Sequence, residues 1–338
     1  MNNDASLFSR YLSKFVNRFI GMLINAITVF IVPRTLGPSN YGDFNFLRDS
    51  FRRITSTLDL NIGQAHFNYS SKYSESKNAT MLYFFFCLSL GIVLFLIIAF
   101  LNWCGLLEYL WPDQKLHYIY AGGILAYLLY LTERLTGLSD SKEATVGLEI
   151  RRLAVSIFGF GALLSIFFLD ALNLASYFGL RICLNLFFIC AFIIYLRHRN
   201  TFDFHFAKVE LKESKKILRY FFSYSHPLVV LSLFSLLFGF FDRWFLQTIG
   251  GSVSQGYFSL AFQLSSICFL FTGAMTPVFM QSVAKAHGQE NIDYIRTLFE
   301  KVRTFYFIAA FFSVFFFSIQ ARSYTLSEVR NTQGPMCL

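Results

Sequence analysis

Charged side chains are scarce in this sequence. Asp, Glu, Lys and Arg make up 14% of its 338 residues, whereas soluble domains average about 25%. Hydrophobic residues make up 55%, and several apolar runs approach the ~20 residues that a helix needs to cross a bilayer. This balance excludes an ordinary soluble domain and predicts an all-α polytopic membrane protein.

The sequence also lacks the motifs that mark an enzyme or a metal site. It contains no C-x-x-C pair, metal-ligand cluster, nucleophile–histidine pair or phosphate-cradling glycine loop, and the predicted outer links are too short to hold a catalytic domain. We therefore predict no enzymatic activity, no cofactor and no metal. We also predict no cleaved signal peptide, because Asn17, Arg18 and Asn25 interrupt the first apolar segment.

Windows of apolar residues predict about nine membrane spans. They cover residues 11–33, 43–68, 81–101, 117–138, 153–169, 173–196, 225–247, 256–280 and 305–319. Lys and Arg concentrate in the links on one side, while the opposite links hold only Arg34 and Lys115. By the positive-inside rule, the N-terminus lies in the cytoplasm. The net charge of +9 then marks topology, and we expect no nucleic-acid partner.

The second predicted span carries an unusual set of charges. They are Arg48, Asp49, Arg52, Arg53, Asp59 and His66. An arginine near the middle of a span costs about 2.5–3.5 kcal/mol on insertion scales, so such residues face a partner or a wet cavity. On a helix, one arc collects Asn45, Arg48, Arg52, Thr55, Asp59 and His66. The alternative is a short amphipathic helix outside the membrane.

Other predicted spans have polar faces of their own. The first span has a face of Lys14, Arg18, Gly21, Asn25 and Thr28, which we expect to border the same cavity. The seventh and eighth spans have small and polar stripes, formed by Ser225, Ser232, Ser235, Gly239 and Asp242 and by Ser259, Gln263, Ser266, Gly273 and Pro277. Such stripes also allow close helix packing, which is the alternative interpretation. Asp242 and Arg243 are the main charges of this later part.

Two short repeats indicate an internal duplication. Arg10-Tyr11 is echoed by Arg219-Tyr220, and Thr35-Leu36-Gly37 by Thr248-Ile249-Gly250. The glycines predict tight outer turns in which φ is positive. We therefore predict two parallel lobes: residues 1–200 with six spans, a basic cytoplasmic link over 201–224, and a partial second lobe of three spans over 225–319. The polar tail, 320–338, suggests truncation or a frameshift near Gln320.

The segment RTLGPSNYGDF, residues 34–44, resembles the first outer turn of bacterial polysaccharide-transport proteins, the O-antigen (Wzx-type) flippases. In that family a Leu-Gly pair precedes Tyr-Gly and an aromatic residue, and Ile249-Gly250 to Gly256-Tyr257 looks like the counterpart in the second lobe. The resemblance covers about 1–319. It implies a MATE-like fold of the MOP exporter superfamily, with two six-helix lobes in the bacterial inner membrane. Its second lobe is incomplete here.

The resemblance implies a flippase that moves undecaprenyl-diphosphate-linked oligosaccharide from the cytoplasmic to the periplasmic leaflet by alternating access. Membrane lipids and a polysaccharide polymerase are further candidate partners. Arginine suits a diphosphate because its fork binds phosphate oxygens and stays charged. The predicted head-group contacts are Arg48, Arg52 and Arg53, with Arg18 and Lys14 near the cytoplasmic mouth. The predicted cavity or coupling residues are Asn25, Asp49, Asp59, His66, Asp242, Arg243 and Gln263.

Several alternatives stay open at this stage. Asp49 lies at the i,i+4 spacing from Arg53, so the charges of the second span could neutralise each other within the helix. A drug or cation antiporter of the same fold would place carboxylates in the cavity with few cations, whereas three arginines accompany two aspartates here. An inactive truncated flippase and a membrane glycan-processing enzyme are the remaining alternatives, and the coupling ion, proton or sodium, is open.

Overall fold

The computed structural model describes residues 7–72, 77–141, 145–198 and 211–266, together with parts of 292–314. The side chains of Lys14 and Arg18, the link 201–210, most of the predicted spans 256–280 and 305–319, and the tail 320–338 lie outside the described part. The helices are α1 (Leu7–Leu58), α2 (Ile62–Lys72), α3 (Lys77–Trp103), α4 (Leu107–Leu110), α5 (Leu116–Ser141), α6 (Thr145–Phe168), α7 (Leu174–His198) and α8 (Leu211–Ser266). No strand occurs among these residues.

Five of these helices are long and apolar enough to cross a membrane. They are α1, α3, α6, α7 and α8, and the apolar parts of α1 and α8 extend over 40 and 52 residues. An all-helical architecture is what a bilayer demands, because backbone N–H and C=O groups inside lipid must pair within their own segment. The prediction of an all-α polytopic membrane protein is confirmed.

A glycine interrupts each of the two longest helices. Gly37 in α1 has φ 76° and ψ 163°, and Gly251 in α8 has φ 66° and ψ −175°. A side chain would be strained at such positive φ values, so only glycine turns the chain here without cost. The predicted turn at Gly37 is confirmed, whereas the second turn falls on Gly251 and not on Gly250. Each helix therefore consists of two helical segments. We call the region around these turns and α4 the α4 end.

The second predicted span is not continuous. The helix ends at Leu58, and Leu60 and Asn61 follow with φ values of 50° and 58° before α2 begins at Ile62. Asp59 accepts a hydrogen bond from the backbone N–H of Gly63 at 3.2 Å, which satisfies a free donor in the first turn of α2. The prediction of one helix over 43–68 was wrong because this local cap stabilises a break.

The second half of α1, residues 38–58, forms the centre of the helical bundle. Phe44, Phe46, Leu47 and Phe51 are almost completely buried. The ring of Phe44 lies 4.5 Å from Tyr177 and 4.8 Å from Phe178 on α7. A helix buried on this scale can keep charged residues only where a partner or a polar pocket receives them.

Helix α8 presents one stripe of its first half to this bundle. Ile217 and Phe221 belong to the same core cluster as Ala65, Tyr83 and Cys87, and the stripe continues through the buried residues Ser225, Gly239, Arg243 and Gln247. The stripe changes from apolar to polar toward the α4 end. Ser225 and Gly239 of the predicted small-residue face lie on it, whereas Ser235 and Asp242 are exposed.

The chain divides into two compact units, residues 1–260 and 261–338. In the second unit, residues 292–297 and 302–304 are helical, and the hydroxyl of Thr297 donates to the carbonyl of Asp293 at 3.0 Å. Residues 211–224, which we had assigned to the basic link, form the first turns of α8. The division into lobes at 201–224 stays a prediction.

The two predicted repeats meet at a backbone-to-backbone crossing. A Cβ atom at Gly42 would collide with the carbonyl oxygen of Ser252, and a Cβ atom at Gly256 would collide with that of Pro38. The offset that relates Gly37 to Gly251 also relates Pro38 to Ser252 and Gly42 to Gly256. The crossing is therefore reciprocal, as expected for two repeats related by a local two-fold axis.

We expect Gly42→Ala to lower the melting temperature of the detergent-solubilised protein. The new methyl group meets backbone atoms, which cannot rotate away, and such overpacking costs about 1–3 kcal/mol. The matched control is Gly161→Ala in α6, where a Cβ atom has open space and alanine favours the helix by up to ~1 kcal/mol. Equal melting temperatures for the two variants would contradict the close crossing.

Candidate functional site

A ladder of polar contacts connects the second half of α1 with α8. Asn61 donates to the carbonyl of Leu228 at 3.1 Å and to the hydroxyl of Ser232 at 2.6 Å. Further along, the Arg53 guanidinium lies against Gly239, Asp49 pairs with Arg243, and Asp43 accepts from Ser252. Residue numbers fall along α1 as they rise along α8, so the two segments run antiparallel.

The Asp49–Arg243 ion pair is the most enclosed charged contact of this ladder. Arg243 is 5% exposed, and its Nη2 lies 2.9 Å from Asp49 Oδ2. Its Nη1 donates to Ser259 Oγ at 2.9 Å and to Gln255 Oε1 at 3.2 Å. The guanidinium therefore binds α1 and the second half of α8 at the same time, and this hydrogen bonding offsets its loss of hydration.

Asp49 holds a second guanidinium through its other oxygen. The Nε atom of Arg48 donates to Asp49 Oδ1 at 2.8 Å, and the Arg48 guanidinium lies 5.7 Å from the ring centre of Phe44. The pairing of Asp49 with Arg53 that we considered from their spacing does not form. Asp49 instead bridges Arg48 on its own helix and Arg243 on α8.

Arg53 contributes a third guanidinium near this pair. It reaches α8 at Gly239, where any side chain would overlap it, and it lies close enough to Arg243 for electrostatic interaction. Within the part of the chain that the structure describes, Arg53 has no ion-pair partner. We call Arg48, Asp49, Arg53 and Arg243 the arginine cluster. It combines three guanidinium groups with one half-buried carboxylate, so its net charge is positive.

Arg52 lies outside the arginine cluster. It pairs with Glu133 of α5 at 2.6 Å, and the two side chains are 58% and 48% exposed. Of the three predicted head-group arginines, the structure therefore brings Arg48 and Arg53 together and sets Arg52 apart. The partner Glu133 was missed in the sequence because it lies in a different span.

Asp59 forms a separate buried network at the break between α1 and α2. Its Oδ1 accepts a hydrogen bond from the Tyr130 hydroxyl at 2.6 Å, and its Oδ2 lies 3.7 Å from Arg134 Nη2. His66 stacks on Tyr83 at 4.4 Å and contacts Thr80 Oγ1 at 3.4 Å. Asp59 and His66 both lie near Tyr83, although the break in the helix separates them, and the partners Tyr130 and Arg134 were missed.

The remaining predicted site residues are scattered. Asn25 and Asp242 are exposed, and Gln263 is half-buried near the end of α8. Lys14 and Arg18 lie on α1, with side chains outside the described part. The site predicted from the sequence therefore has two described centres, the arginine cluster and the Asp59 network, and does not form one continuous patch.

Hydrogen bonds join α8 to the α4 end of the bundle. Asp43 accepts from Gln114 Nε2 at 2.6 Å and from the Ser252 hydroxyl. The indole N–H of Trp244 donates to the carbonyl of Tyr109 at 2.9 Å. Sequence reasoning missed these contacts because the partners come from a link and two separated helices. They close this end of the bundle.

The fold and these buried charges define a polytopic helical membrane protein. The model of the polysaccharide biosynthesis protein family matches residues 11–283, and the chain belongs to this family. Members are typically membrane transporters of lipid-linked polysaccharide units and are generally not enzymes. No curated protein and no solved structure matches the chain.

We expect Asp49→Asn and Arg243→Gln each to destabilise the protein by about 3 kcal/mol, because each removes one member of the buried Asp49–Arg243 pair. The double variant should lose clearly less than the sum, because the two side chains contact each other directly. Unfolding in detergent measures all three free energies.

The matched control is the exposed Arg52–Glu133 pair, tested with Arg52→Gln, Glu133→Gln and the double variant. It is also an arginine–carboxylate pair, but it is not buried. We expect a much smaller coupling there. If the two pairs gave equal coupling energies, the Asp49–Arg243 contact would not be the main link between α1 and α8.

Proposed function

We propose that this chain is a Wzx-type flippase that carries undecaprenyl-diphosphate-linked oligosaccharide from the cytoplasmic to the periplasmic leaflet of the bacterial inner membrane. The observation that supports this most directly is the positive net charge of the arginine cluster, inside a membrane protein of the polysaccharide biosynthesis family. A diphosphate head group needs cations in a polar pocket to replace its water.

Within this proposal, Arg53 is the first head-group contact. Asp49 already orients Arg48 and Arg243, whereas the guanidinium of Arg53 keeps its donors available for phosphate oxygens. Arg48 would add a second cation, and Arg52, Arg18 and Lys14 would lie along the path of the head group. A drug or cation antiporter is less well supported, because both Asp49 and Asp59 have guanidinium partners.

The proposed transport cycle opens one end of the bundle at a time. The hydrogen bonds of Asp43, Trp244 and their partners hold the α4 end closed in this structure. The charge pattern of the links predicts that this end faces the periplasm, which makes the described state an inward-facing one. The proposed coupling is to a proton or a sodium ion, and no cofactor takes part.

We expect Arg53→Gln to lower translocation by about 10- to 100-fold, because loss of a charge-assisted hydrogen bond costs about 1.5–3 kcal/mol. Arg53→Lys should be intermediate, since lysine keeps the charge but not the fork. The measurement is flipping of a fluorescent undecaprenyl-diphosphate oligosaccharide in vesicles that contain the full chain. Arg34→Gln, an exposed site on the same helix, is the control. Wild-type flipping by Arg53→Gln would remove the head-group role.

We expect a cross-link across the α4 end to stop translocation reversibly. Tyr109 and Trp244 have ring centres 5.7 Å apart, so Tyr109→Cys with Trp244→Cys places two thiols within reach of a short reducible cross-linker. The experiment uses a chain whose native cysteines have been replaced, and each single cysteine serves as control. Unchanged flipping in the cross-linked protein would exclude opening at this end.

A further inference from the structure

An apolar groove lies beside the arginine cluster, near the α4 end. Its volume is about 500 Å³, and it is bounded by side chains of α1, α3, α8 and the segment that contains α4. The bundle side of the groove is formed by Phe51, Leu94 and Trp111, which are buried. On the α8 side, Leu237 and Phe238 are 63% and 69% exposed. The groove therefore has one wall of buried side chains and one wall of exposed side chains.

The lining of the groove admits hydrocarbon and excludes polar groups. Its side chains are aliphatic or aromatic, with almost no polar atom at the surface. A sugar or a phosphate placed there would lose its hydration without gaining hydrogen bonds, which costs several kcal/mol for each polar group. The occupant must therefore be an apolar chain.

The groove is also partly preformed. Phe51 stacks on Trp111 with ring centres 4.8 Å apart, and Phe240 of α8 meets the same indole edge-on at 6.2 Å. These rings hold the two walls apart without any occupant. A preformed apolar pocket binds a chain more tightly than a flat lipid-facing surface, because less ordering is required.

A cation lies next to this apolar lining. Ile54, which lines the groove, directly follows Arg53 in α1, and Phe238 and Phe240 flank Gly239 on α8. The Arg53 guanidinium lies against that glycine. An amphiphile with an anionic head therefore satisfies both features at once, with its head at Arg53 and its chain in the groove, whereas a neutral lipid would leave the guanidinium unmatched.

We propose that the groove between α1, α3 and α8 binds the head-proximal isoprenoid units of a polyprenyl diphosphate while its diphosphate contacts Arg53. This inference rests on the proposed function and adds the tail to the site. The groove and the arginine cluster then recognise the two ends of one amphiphile. The isoprenoid chain, as well as the charge of the diphosphate, then determines which substrates bind.

The test is photo-cross-linking of the full chain in vesicles. The probe is undecaprenyl diphosphate with a diazirine on an isoprene unit near the head group, and mass spectrometry locates the label. We expect labelled peptides from 94–101 of α3 and 234–241 of α8. Leu237→Trp fills the groove and should reduce labelling about tenfold, the loss expected when one or two buried methylene contacts are displaced.

Leu231→Trp is the matched control, because Leu231 lies on the same helix with a similar exposure of 67% but does not line the groove. Its labelling should stay at the wild-type level. Unlabelled undecaprenyl diphosphate should displace the probe, whereas an excess of phosphatidylethanolamine should not. Equal labelling of the two tryptophan variants, or equal displacement by phosphatidylethanolamine, would overturn the proposal and identify an ordinary lipid-facing groove.

Two further measurements separate this inference from the proposed function. Arg53→Gln should weaken labelling by the diphosphate probe but leave labelling by the matching uncharged polyprenol unchanged, and an equal effect on both would overturn the link between head and groove. If Arg53→Gln stops flipping while Leu237→Trp flips normally, the groove proposal fails and the flippase proposal stands. If the groove is labelled but the wild-type chain does not flip the lipid, the proposed function fails and the groove proposal stands.

Discussion

The structure depends on how three arginines are accommodated in an apolar helical bundle. Asp49 forms ion pairs with two of them, because one of its oxygens binds Arg48 and the other binds Arg243. Arg243 then reaches Gln255 and Ser259 beyond the turn at Gly251. One carboxylate thereby connects the central helix of the bundle to both halves of α8. Buried ion pairs are costly to form and costly to break, so they select one arrangement of helices more than they stabilise it.

The predicted duplication accounts for the geometry of the crossing but not for the charges of the site. Gly42 and Gly256 form a reciprocal crossing with Ser252 and Pro38, which brings the two repeats to backbone contact. By the same offset, the residue of the second repeat that corresponds to Asp49 is Gln263, a neutral residue. The second repeat therefore has no equivalent of the Asp49 bridge, and the cations of the site lie mainly on α1. A scaffold of two similar repeats that carries its cations mainly on one repeat suits a substrate that has one charged end.

A polar surface and an apolar surface meet where the arginine cluster lies close to the groove. Arg53 directly precedes Ile54, so neighbouring positions of one helical turn face both the polar ladder and the apolar wall. Neither water nor hydrocarbon suits both surfaces. A lipid with a phosphate head would match the polar ladder with its head and the apolar wall with its chain.

The sequence by itself determined the helical class, the alternation of the links, the turn at Gly37 and the family resemblance, because these depend on local composition and on short motifs. Asp59 and His66 lie on either side of the break at Leu60 and Asn61, which the single predicted span did not foresee. Only the tertiary structure decided that Asp49 binds Arg243 and not Arg53, that Arg52 pairs with Glu133, and that Tyr130 and Arg134 surround Asp59. These partners lie in different helices, and spacing along one helix carries no information about which neighbour packs against it.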